Sequence, residues 1–450
     1  MLRSWKPRPM TLGAMRDEPR TATRAPWQRL KVSRPPGYRD RGACGRRRGM
    51  VRGRARPGER SRPVCAAPRA GGFFPTPRSV MLTNQTVVFA GGGTGGHLFP
   101  GIAVAEALRA AHADIKPLFL CTTREIDRLI LEPTGLAFME QPIVPPQRSI
   151  GGLLRFWRSW RGTREMVKRM LDERRPAVVV GLGGYAAGVA VKLAAERRIP
   201  TAIINPDVIP GRANRYLMRH VAKVFCQFPQ TSRYVSAGYG AKLVVTGCPI
   251  RRELRHLPER SVAAAALGLE SHLLTLVITG ASQGAQTVNE AMLAVLPRLK
   301  LQGWQVLHLA GRDHAAAVSR EYHRLGIGAR VIDFTPRMEQ VWAVADLAVC
   351  RAGASTCAEL TACGVPAILM PYPYHRDMHQ RANALALAEA GAAIHVEDMK
   401  DAQRNAAALH PLLESLLRDA GRREAMAKAA RAMGHPDAAD RVAEALGSLA

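Results

Sequence analysis

Short apolar runs alternate with amphipathic segments along most of this 450-residue chain. In the first half these runs cover residues 86–90, 117–121, 177–181, 200–204, 224–228 and 242–246. In the second half they cover 273–279, 304–309, 329–333, 347–350, 367–370 and 393–396. Helical segments, such as the one predicted over 100–111, separate the runs, a pattern typical of buried parallel strands joined by crossover helices. The pattern therefore predicts an α/β protein with two parallel-sheet units, the second beginning after a linker near residues 247–260.

Three glycine-rich loops each follow an apolar run and precede a helical segment. They cover residues 91–97, 181–185 and 280–284. Glycine lets an anion approach backbone N–H groups, and the helix dipole favours negative charge at a helix N-terminus. Two loops in the first half and one in the second indicate two phosphate-bearing ligands that meet between two domains.

Positive charge is concentrated at the start of the chain. Lys and Arg number 65 against 36 Asp and Glu, and residues 1–80 alone carry a net charge of +17. That segment is rich in Arg, Pro and Gly, a composition that buries too little apolar surface to fold by itself. It fits a solvated basic tail, a targeting peptide, or translated upstream sequence with Met81 as the working start. We favour the third interpretation and expect little order before residue 81.

The apolar runs and the cysteines indicate which classes of protein fit this sequence. No apolar run reaches the roughly 18 residues of a membrane-spanning helix. The eight cysteines form no Cys-x-x-Cys pair, and several lie in apolar strands or helices. This usage predicts buried, reduced thiols in the cytoplasm and neither a disulfide framework nor a zinc site.

One predicted helix interleaves large apolar residues with arginines. Its apolar residues include Leu153, Leu154, Phe156, Trp157 and Trp160. Such a composition suits an anionic membrane surface. Pattern alone nevertheless favours the alternative, a core helix with an Arg-rich solvent face.

The first glycine loop matches the GxGxxG fingerprint of dinucleotide-binding proteins. That fingerprint also requires an acid at the end of the second strand, where residues 118–123 offer none, so a nicotinamide cofactor is disfavoured. Thr94 and His97 lie at the mouth of the loop instead. A helix N-terminus favours neutral histidine, which can accept a proton. His97 is thus a candidate general base, and a capping role fits it equally well.

The remaining polar positions each admit two interpretations. Gly183, Gly184 and Tyr185 form either a tight turn or a second phosphate cradle at the same sheet edge. Ser282 can add a hydroxyl to the backbone donors around a diphosphate. Glu359 is either a capping acid in the first turn of a helix that starts at residue 355 or 356, or a carboxylate that binds ribose hydroxyls.

A polar cluster in a loop rich in proline and tyrosine has the same ambiguity. It contains Asp377, His379, Gln380 and Asn383. These side chains could hydrogen-bond a sugar or lie on a solvated surface loop.

Five motifs, taken together, resemble those of a known family. They are Gly92-Gly93-Thr94-Gly95-Gly96-His97-Leu98-Phe99-Pro100-Gly101, Gly183-Gly184-Tyr185, Ser282-Gln283-Gly284-Ala285, Arg351-Ala352-Gly353-Ala354 with Glu359, and His379-Gln380 with Asn383-Ala384. Through them, residues 84–450 resemble the bacterial peptidoglycan N-acetylglucosaminyltransferases that convert lipid I to lipid II (the MurG family). A chance GxGxxG match would not bring the other four motifs.

The resemblance implies a GT-B fold, in which two Rossmann-like domains with parallel sheets face each other across a cleft. It implies an acceptor-binding, membrane-facing domain over 81–248 and a UDP-sugar-binding domain over 249–434. A helix in 435–450 would pack back onto the first domain. The 153–160 stretch then becomes a surface that docks the protein peripherally on the anionic cytoplasmic face of the bacterial cell membrane, which reverses the preference from pattern alone.

The resemblance also implies roles for individual residues. UDP-N-acetylglucosamine would contact Thr94, Gly95, Gly96, Arg251, Ser282, Gln283, Gly284, Glu359, His379 and Gln380. The acceptor, lipid I, would contact Gly93, Thr94, Gly183, Gly184, Tyr185 and Asp207. His97 would be the catalytic base, with Asp207 as a second candidate. We expect no cofactor and, because no Asp-x-Asp motif occurs in a suitable place, no essential metal. Cell-wall synthesis proteins are further candidate partners, and no nucleic-acid partner is expected.

Two positions depart from the family's usual sequence. The family usually has His-Glu-Gln-Asn after the strand at 200–204, where this chain has Ile204-Asn205-Pro206-Asp207. An amide both donates and accepts hydrogen bonds, whereas the Asp207 carboxylate only accepts. Cys248 likewise stands where the family tends to have asparagine. Both changes leave the donor site intact and bear on the acceptor contacts.

Two rival functions remain at this point. One is a GT-B transferase that uses another lipid or a small-molecule acceptor. The other is a nucleic-acid-binding protein, motivated by the net charge of +29, although no recognised nucleic-acid module occurs in the chain.

Overall fold

The computed structural model describes residues 85–147, 149–280 and 284–450. Within these ranges the strands form two separate sheets, and every strand pair in both sheets is parallel. The predicted α/β class with two parallel-sheet units is therefore confirmed.

The first sheet has the strand order β3-β2-β1-β4-β5-β6-β7 among the described residues. Its strands are β1 (Thr86–Ala90), β2 (Lys116–Thr122), β3 (Ala137–Gln141), β4 (Val178–Gly181), β5 (Thr201–Asn205), β6 (Lys223–Cys226) and β7 (Leu243–Val245). Its helices are α1 (Gly95–Ala111), α2 (Glu125–Leu131), α3 (Ile150–Arg174), α4 (Ala187–Glu196) and α5 (Arg212–Leu217). Two buried apolar clusters involve its strands, which explains why the central strands are continuous apolar runs.

The second sheet repeats this plan with the order β10-β9-β8-β11-β12-β13. Its strands are β8 (Leu274–Thr279), β9 (Trp304–Leu309), β10 (Ala329–Ile332), β11 (Leu347–Cys350), β12 (Ala367–Leu369) and β13 (Ala393–His395). The helices of this half are α6 (Arg260–Leu267), α7 (Gln286–Val295), α8 (Ala315–Arg324), α9 (Met338–Val344), α10 (Ala354–Cys363), α11 (His379–Glu389), α12 (Ala402–Arg418), α13 (Ala420–Met433) and α14 (Ala438–Gly447).

Two elements differ from the sequence expectation. β3 was not predicted, because its sequence Ala-Phe-Met-Glu-Gln has a short apolar stretch followed by two polar residues. It lies at an edge of the sheet, and most of its residues are half-buried. α1 begins at Gly95 and not at Pro100. Pro100 lies in the second turn, where it lacks the N–H that would bond to the carbonyl four residues back, and the helix continues through it.

Buried residues link the two halves of the chain. Val442 and Leu446 of α14 share an apolar cluster with Leu98 and Ile102 of α1. A second cluster joins Phe228, which follows β6, to the core of the second sheet. Loops that follow the strands of one sheet therefore pack against the other half.

The fold also bears on the expectations for membrane-spanning helices and for the cysteines. In the described ranges, no helix has both the length and the apolar character needed to cross a bilayer. The described cysteines are unpaired and buried, except for the half-buried Cys363. The predicted buried thiols are therefore confirmed for this part of the chain, while Cys44 and Cys65 lie outside it.

Candidate active site

His97, in the first turn of α1, lies against both glycine loops of the first sheet. Its Nδ1 is 3.2 Å from the Gly92 carbonyl oxygen and 3.2 Å from the Thr94 hydroxyl oxygen. A carbonyl only accepts hydrogen bonds, so Nδ1 carries the proton of the neutral ring and Nε2 keeps its lone pair. A Cβ built on Gly183 would lie 3.4 Å from Nε2. The first loop thus orients the ring, and the available nitrogen faces the second loop.

A buried carboxylate, Asp127 of α2, holds the first glycine loop. Its oxygens accept hydrogen bonds from the Gly93 N–H at 2.7 and 2.8 Å and from the Thr122 N–H and hydroxyl at 2.8 and 2.6 Å. A Cβ on Gly92 would lie 2.3 Å from Asp127 Oδ2, so only glycine fits there. Sequence reasoning missed Asp127 because it looked for an acid at the strand end, and this one lies in the following helix.

This network bears on the predicted acceptor contact of Gly93, which stays a prediction. Asp127 already accepts the Gly93 N–H, so that amide is not available to a ligand. Gly95 and Gly96 open α1, where helical geometry leaves their amides without an intrahelical acceptor. A Cβ on Gly96 would lie 3.9 Å from Ser355 Oγ, so the start of α1 lies close to the start of α10 in the second half.

The second glycine loop has a backbone that favours glycine. Gly183 and Gly184 have φ values of +100° and +71°. Burial raises the pKa of the half-buried Tyr185 next to them, which keeps its phenol neutral and able to donate. Asn214 of α5, which sequence reasoning also missed, has a buried Oδ1 with no hydrogen-bond partner among the described residues. That oxygen would lie 3.7 Å from a Cβ on Gly183; no local sequence signal marks it.

Two side-chain amides join the loops of the two sheets. Asp207, just after β5, accepts a hydrogen bond at 2.8 Å from Nδ2 of Asn383 in α11. Gln227, just after β6, donates to the Ala354 carbonyl and accepts from the Ala358 N–H, both at 3.1 Å, when its amide is oriented to match its neighbours. The carboxyl edge of the first sheet is therefore tied to α10 and α11.

Glu359 lies deeper in its helix than predicted. α10 begins at Ala354, so Glu359 falls in the second turn and the capping-acid interpretation is wrong. Its Oε2 accepts from the Trp342 indole N–H at 2.8 Å, and its Oε1 is 3.5 Å from Arg251 Nη2. Burial raises the pKa of Glu359, and Arg251 opposes that rise. The Arg251 guanidinium also lies 5.1 Å from the Phe99 ring centroid in α1 and so spans both halves.

The third glycine loop is described only at its two ends, because Ser282 and Gln283 lie outside the described residues. Gly284 has a φ of +74°, and a Cβ there would lie 2.1 Å from the Ala310 carbonyl oxygen. The loop after β8 therefore packs directly on the loop after β9, which leaves no room for a side chain at this position.

A buried ion pair supports the neighbouring loop between β11 and α10. Arg351 Nη1 is 2.8 Å from Asp398 Oδ2, and Arg351 Nη2 donates to the Thr287 hydroxyl at 2.7 Å. Both charged side chains are almost fully buried. The arginine of the Arg351-Ala352-Gly353-Ala354 motif thus has a supporting role that its sequence position did not reveal.

His379 and Gln380 open α11. His379 Nδ1 is 2.7 Å from Asp377 Oδ1, and Gln380 Oε1 accepts from the Tyr372 N–H at 2.9 Å. These bonds fix one polar atom of each side chain. Within the described residues the Nε2 atom of each has no hydrogen-bond partner and is available to a ligand.

The first turns of α3 expose large apolar side chains. Ile150 is 82% exposed, Trp157 61% and Leu154 56%, and Leu153 is also exposed. Phe156 and Trp160, which were expected on the same surface, are half-buried and pack against an apolar cluster of the first sheet. The helix therefore has one face packed on the sheet, as the core-helix interpretation predicts, and another that exposes large apolar side chains.

These residues lie near the carboxyl edges of the two sheets, which the Asp207–Asn383 contact joins. On one side lie His97, the glycine-loop amides and Tyr185; on the other lie Glu359, His379 and Gln380. The arrangement provides a proton acceptor, His97 Nε2, beside the Gly183 loop, together with helix N-termini, which stabilise developing negative charge. This geometry suits transfer of a group away from a phosphate leaving group.

Two family descriptions match this chain. Residues 87–226 match the glycosyltransferase family 28 N-terminal domain, and residues 275–442 match the glycosyltransferase family 28 C-terminal domain. The first matched segment covers the sheet strands from β1 to β6, and the second covers those from β8 to β13.

Similar proteins carry one shared name. The UDP-N-acetylglucosamine–N-acetylmuramyl-(pentapeptide) pyrophosphoryl-undecaprenol N-acetylglucosamine transferase of Halothermothrix orenii is 34% identical over 362 residues, 78% of this chain and 95% of the relative. The Anaeromyxobacter protein of the same name is 36% identical over 369 residues, 80% of this chain and 91% of the relative.

Solved structures show the same architecture. The crystal structure of Acinetobacter baumannii MurG has a TM-score of 0.65 and 25% identity, covering 81% of this chain and 99% of that chain. The complex of S. aureus MnaA with UDP has a TM-score of 0.58 at 10% identity, covering 79% and 94%. At that identity the second likeness shows the fold alone.

Proposed function

The chain belongs to glycosyltransferase family 28, and from that premise we propose that it moves N-acetylglucosamine from UDP-N-acetylglucosamine to the N-acetylmuramic acid of lipid I. Lipid I is undecaprenyl-pyrophosphoryl-N-acetylmuramyl-pentapeptide, and the product is lipid II of peptidoglycan synthesis. The observation that carries this function is 34% identity to a transferase of that name over 95% of its length. The resemblance read from the five motifs is confirmed by the family match.

The reaction is an inverting displacement. A hydroxyl of N-acetylmuramic acid forms a bond to the anomeric carbon of the donor as the bond from that carbon to the UDP oxygen breaks. His97 Nε2 takes the hydroxyl proton, because Nδ1–H is already held by the Gly92 carbonyl. Asp207 is the weaker base candidate, since its carboxylate is bonded to Asn383; we assign it a positioning role.

The second sheet's half binds the donor in this proposal. Trp342 fixes one oxygen of Glu359, which leaves the more loosely paired Oε1 to accept hydrogen bonds from the ribose. The loop of Ser282, Gln283 and Gly284 binds the diphosphate. His379 and Gln380 bind the sugar with their unpaired Nε2 atoms, and Arg251 approaches the nucleotide from the linker.

The first sheet's half binds the acceptor. Gly95 and Gly96 at the start of α1 lie close to the start of α10, where we place the meeting point of both substrates. Gly183, Gly184 and Tyr185 contact the acceptor beside His97. We assign residues 81–248 to this acceptor domain, 249–434 to the donor domain and 435–450 to a helix on the first domain; the cluster shared by α14 and α1 supports that assignment.

The exposed apolar residues of α3 dock the protein on the membrane that holds the acceptor. Leu153, Leu154 and Trp157, together with Ile150, are exposed among arginines. Apolar side chains beside basic ones bind anionic lipid surfaces. The protein is then a peripheral protein of the cytoplasmic face of the cell membrane.

Incubation of the full chain with UDP-N-acetylglucosamine and lipid I tests the function. The expected product is the disaccharide lipid II, with one UDP released per product. Replacing lipid I with other lipid-linked or small sugars separates this function from transfer to a different acceptor. Release of UDP without a lipid-linked disaccharide would refute it.

A further inference from the structure

Three potential metal ligands converge at the entry to α11. His375, Asp377 and His379 each offer one ligand atom, and these atoms all lie within 4.8 Å of one another. Asp377 Oδ1 is 2.7 Å from His379 Nδ1. The His375 and His379 rings stack with their centroids 4.4 Å apart. The three side chains therefore point to one place on the protein surface.

The backbone between these residues is shaped to bring them together. Met378 has a φ of +51°, so the chain turns through the left-handed region directly before α11. The Met378 N–H donates to the His375 carbonyl at 3.3 Å and closes the turn. The Tyr372 ring contacts the His375 ring, with centroids 4.6 Å apart. Ligand positions i, i+2 and i+4 thus come from one braced turn.

We propose that His375, Asp377 and His379 bind a divalent transition metal of the Zn²⁺ class, with water completing its coordination. Two imidazoles, one carboxylate and an open position form a donor set that Zn²⁺ accepts. Metal–ligand distances in such sites are about 2 Å, so the ligand atoms must close by roughly 1–2 Å through side-chain rotation. The exposure of His375 and Asp377 permits that movement and gives an ion direct access.

Other strong ligands in the described part of the chain are poorly placed to compete. The described cysteines are buried or half-buried, and burial raises the pKa of Cys226 and of Cys363 to about 12. A thiol with a raised pKa supplies little thiolate, the form that binds metal. The histidine cluster is therefore the accessible site for a borderline-soft cation.

The site has a consequence for catalysis that rests on the proposed function. His379 is assigned to the donor sugar through Nε2, so an ion that rotates its ring to complete the site moves Nε2 away from the sugar. Asn383, one turn farther along α11, already bonds to Asp207 across the cleft, which places the cluster beside the reacting groups. The bound metal then acts as an inhibitor that competes with UDP-N-acetylglucosamine.

Zinc binding by the untagged full chain tests the site without any use of activity. Metal-free protein is titrated with Zn²⁺ against a chromogenic chelator, for wild type, His375→Ala, Asp377→Ala and the control His272→Ala. His272 is 74% exposed and has one carboxylate nearby, Glu270 at 3.9 Å. We expect wild type and His272→Ala to bind one equivalent of Zn²⁺ more than the other two variants. Equal binding by all four proteins would overturn the proposal, and any zinc held by Cys44 or Cys65 is common to them.

Steady-state transfer then tests the competition. Zn²⁺ should raise the KM for UDP-N-acetylglucosamine without changing kcat in wild type, and a chelator should reverse the effect. His375→Ala should lose at least about tenfold in sensitivity to Zn²⁺, the scale on which metal sites respond to loss of supporting groups. Inhibition of the same size in His375→Ala would contradict the site. If no transfer occurs with any protein, the proposed function fails, while the chelator titration still decides the metal site.

Discussion

Asn383 of α11 donates a hydrogen bond from its Nδ2 to Oδ1 of Asp207, 2.8 Å away across the cleft. The same nitrogen donates to the Ala352 carbonyl at 3.1 Å, and Oδ1 of Asn383 accepts from the Val208 N–H at 2.9 Å. The side chain of Asn383 is fully buried. One amide therefore connects the loop after β5 with the loop before α10.

Two substitutions distinguish this connection from base catalysis by Asp207. Asp207→Asn keeps an oxygen that accepts from Asn383, so we expect transfer within about tenfold of wild type, whereas loss of a general base costs about 10²–10⁴-fold. Asn383→Ala removes all three bonds and should lower the free energy of unfolding by about 1–3 kcal/mol, because buried partners lose their hydrogen bonds. Measurements of kcat and KM together with urea denaturation report both effects. If kcat fell a thousandfold in Asp207→Asn while its free energy of unfolding stayed near that of wild type, Asp207 would be identified as the general base.

His97→Ala should lower kcat by about 10²–10⁴-fold, the usual contribution of a positioned general base. The affinity for UDP, measured by calorimetry, should stay close to wild type because His97 contacts the glycine loops of the first sheet. His272→Ala, at a 74% exposed histidine, is the matched control and should not change either quantity. Unchanged turnover in His97→Ala would remove this residue from the base role.

The stability of the second half should depend on pH through His308. This histidine of β9 is fully buried; its Nδ1 accepts from the Tyr322 hydroxyl at 2.8 Å and its Nε2 donates to Asn289 Oδ1 at 3.0 Å. Burial lowers the pKa of His308 to about 3, against about 6.5 in an unfolded chain. The unfolded state therefore binds more protons between these values, and stability is lost as pH falls from about 6.5 toward 3.

The measurement compares urea denaturation at pH 7 and pH 5. From pH 7 to pH 5, the free energy of unfolding of wild type should fall by about 2 kcal/mol more than that of His308→Gln. This difference follows from the two pKa values of His308 by proton linkage. Other buried histidines are common to both proteins and cancel in the comparison. His272→Gln should follow wild type. Parallel pH dependence in wild type and His308→Gln would show that His308 is not buried in its neutral form.

The elements that the sequence predicts are those whose residues share one environment. Central strands such as β1 and β8 are covered on both faces, so most of their residues are apolar and the run is visible. The edge strand β3 is only partly covered, and its apolar stretch Ala-Phe-Met is followed by Glu140 and Gln141. The glycine loops were predictable for a similar reason, because a sharp turn beside a helix requires glycine at specific positions, as the 2.3 Å approach of Asp127 Oδ2 to a Cβ on Gly92 shows.

The supporting residues of the site could not be predicted, because their partners are distant in sequence. Asn383 and Asp207 are 176 positions apart, and Arg351 and Asp398 are 47 apart. Asp127 holds a loop 34 positions earlier. Such pairs leave no periodic pattern, since each is created by the packing of whole elements.

Membrane docking should depend on the exposed apolar residues of α3. The Leu154→Ala/Trp157→Ala double variant should bind vesicles that contain anionic lipid more than about tenfold more weakly, since burial of each large apolar side chain contributes about 1.5–3 kcal/mol. Val262→Ala in α6 alters another exposed apolar residue, 62% exposed, and should bind like wild type. Co-sedimentation with vesicles measures both variants. If vesicle binding weakened equally in the double variant and in Val262→Ala, α3 would not be the docking surface.

The most direct measurement is the position of UDP in a crystal of its complex with the full chain. The ribose hydroxyls should lie within hydrogen-bond distance of Glu359 Oε1, and the diphosphate should lie beside Gly284, with the open side of the nucleotide toward His97. A nucleotide bound at the loops of the first sheet, or outside the cleft, would contradict the assignment of donor and acceptor to the two halves.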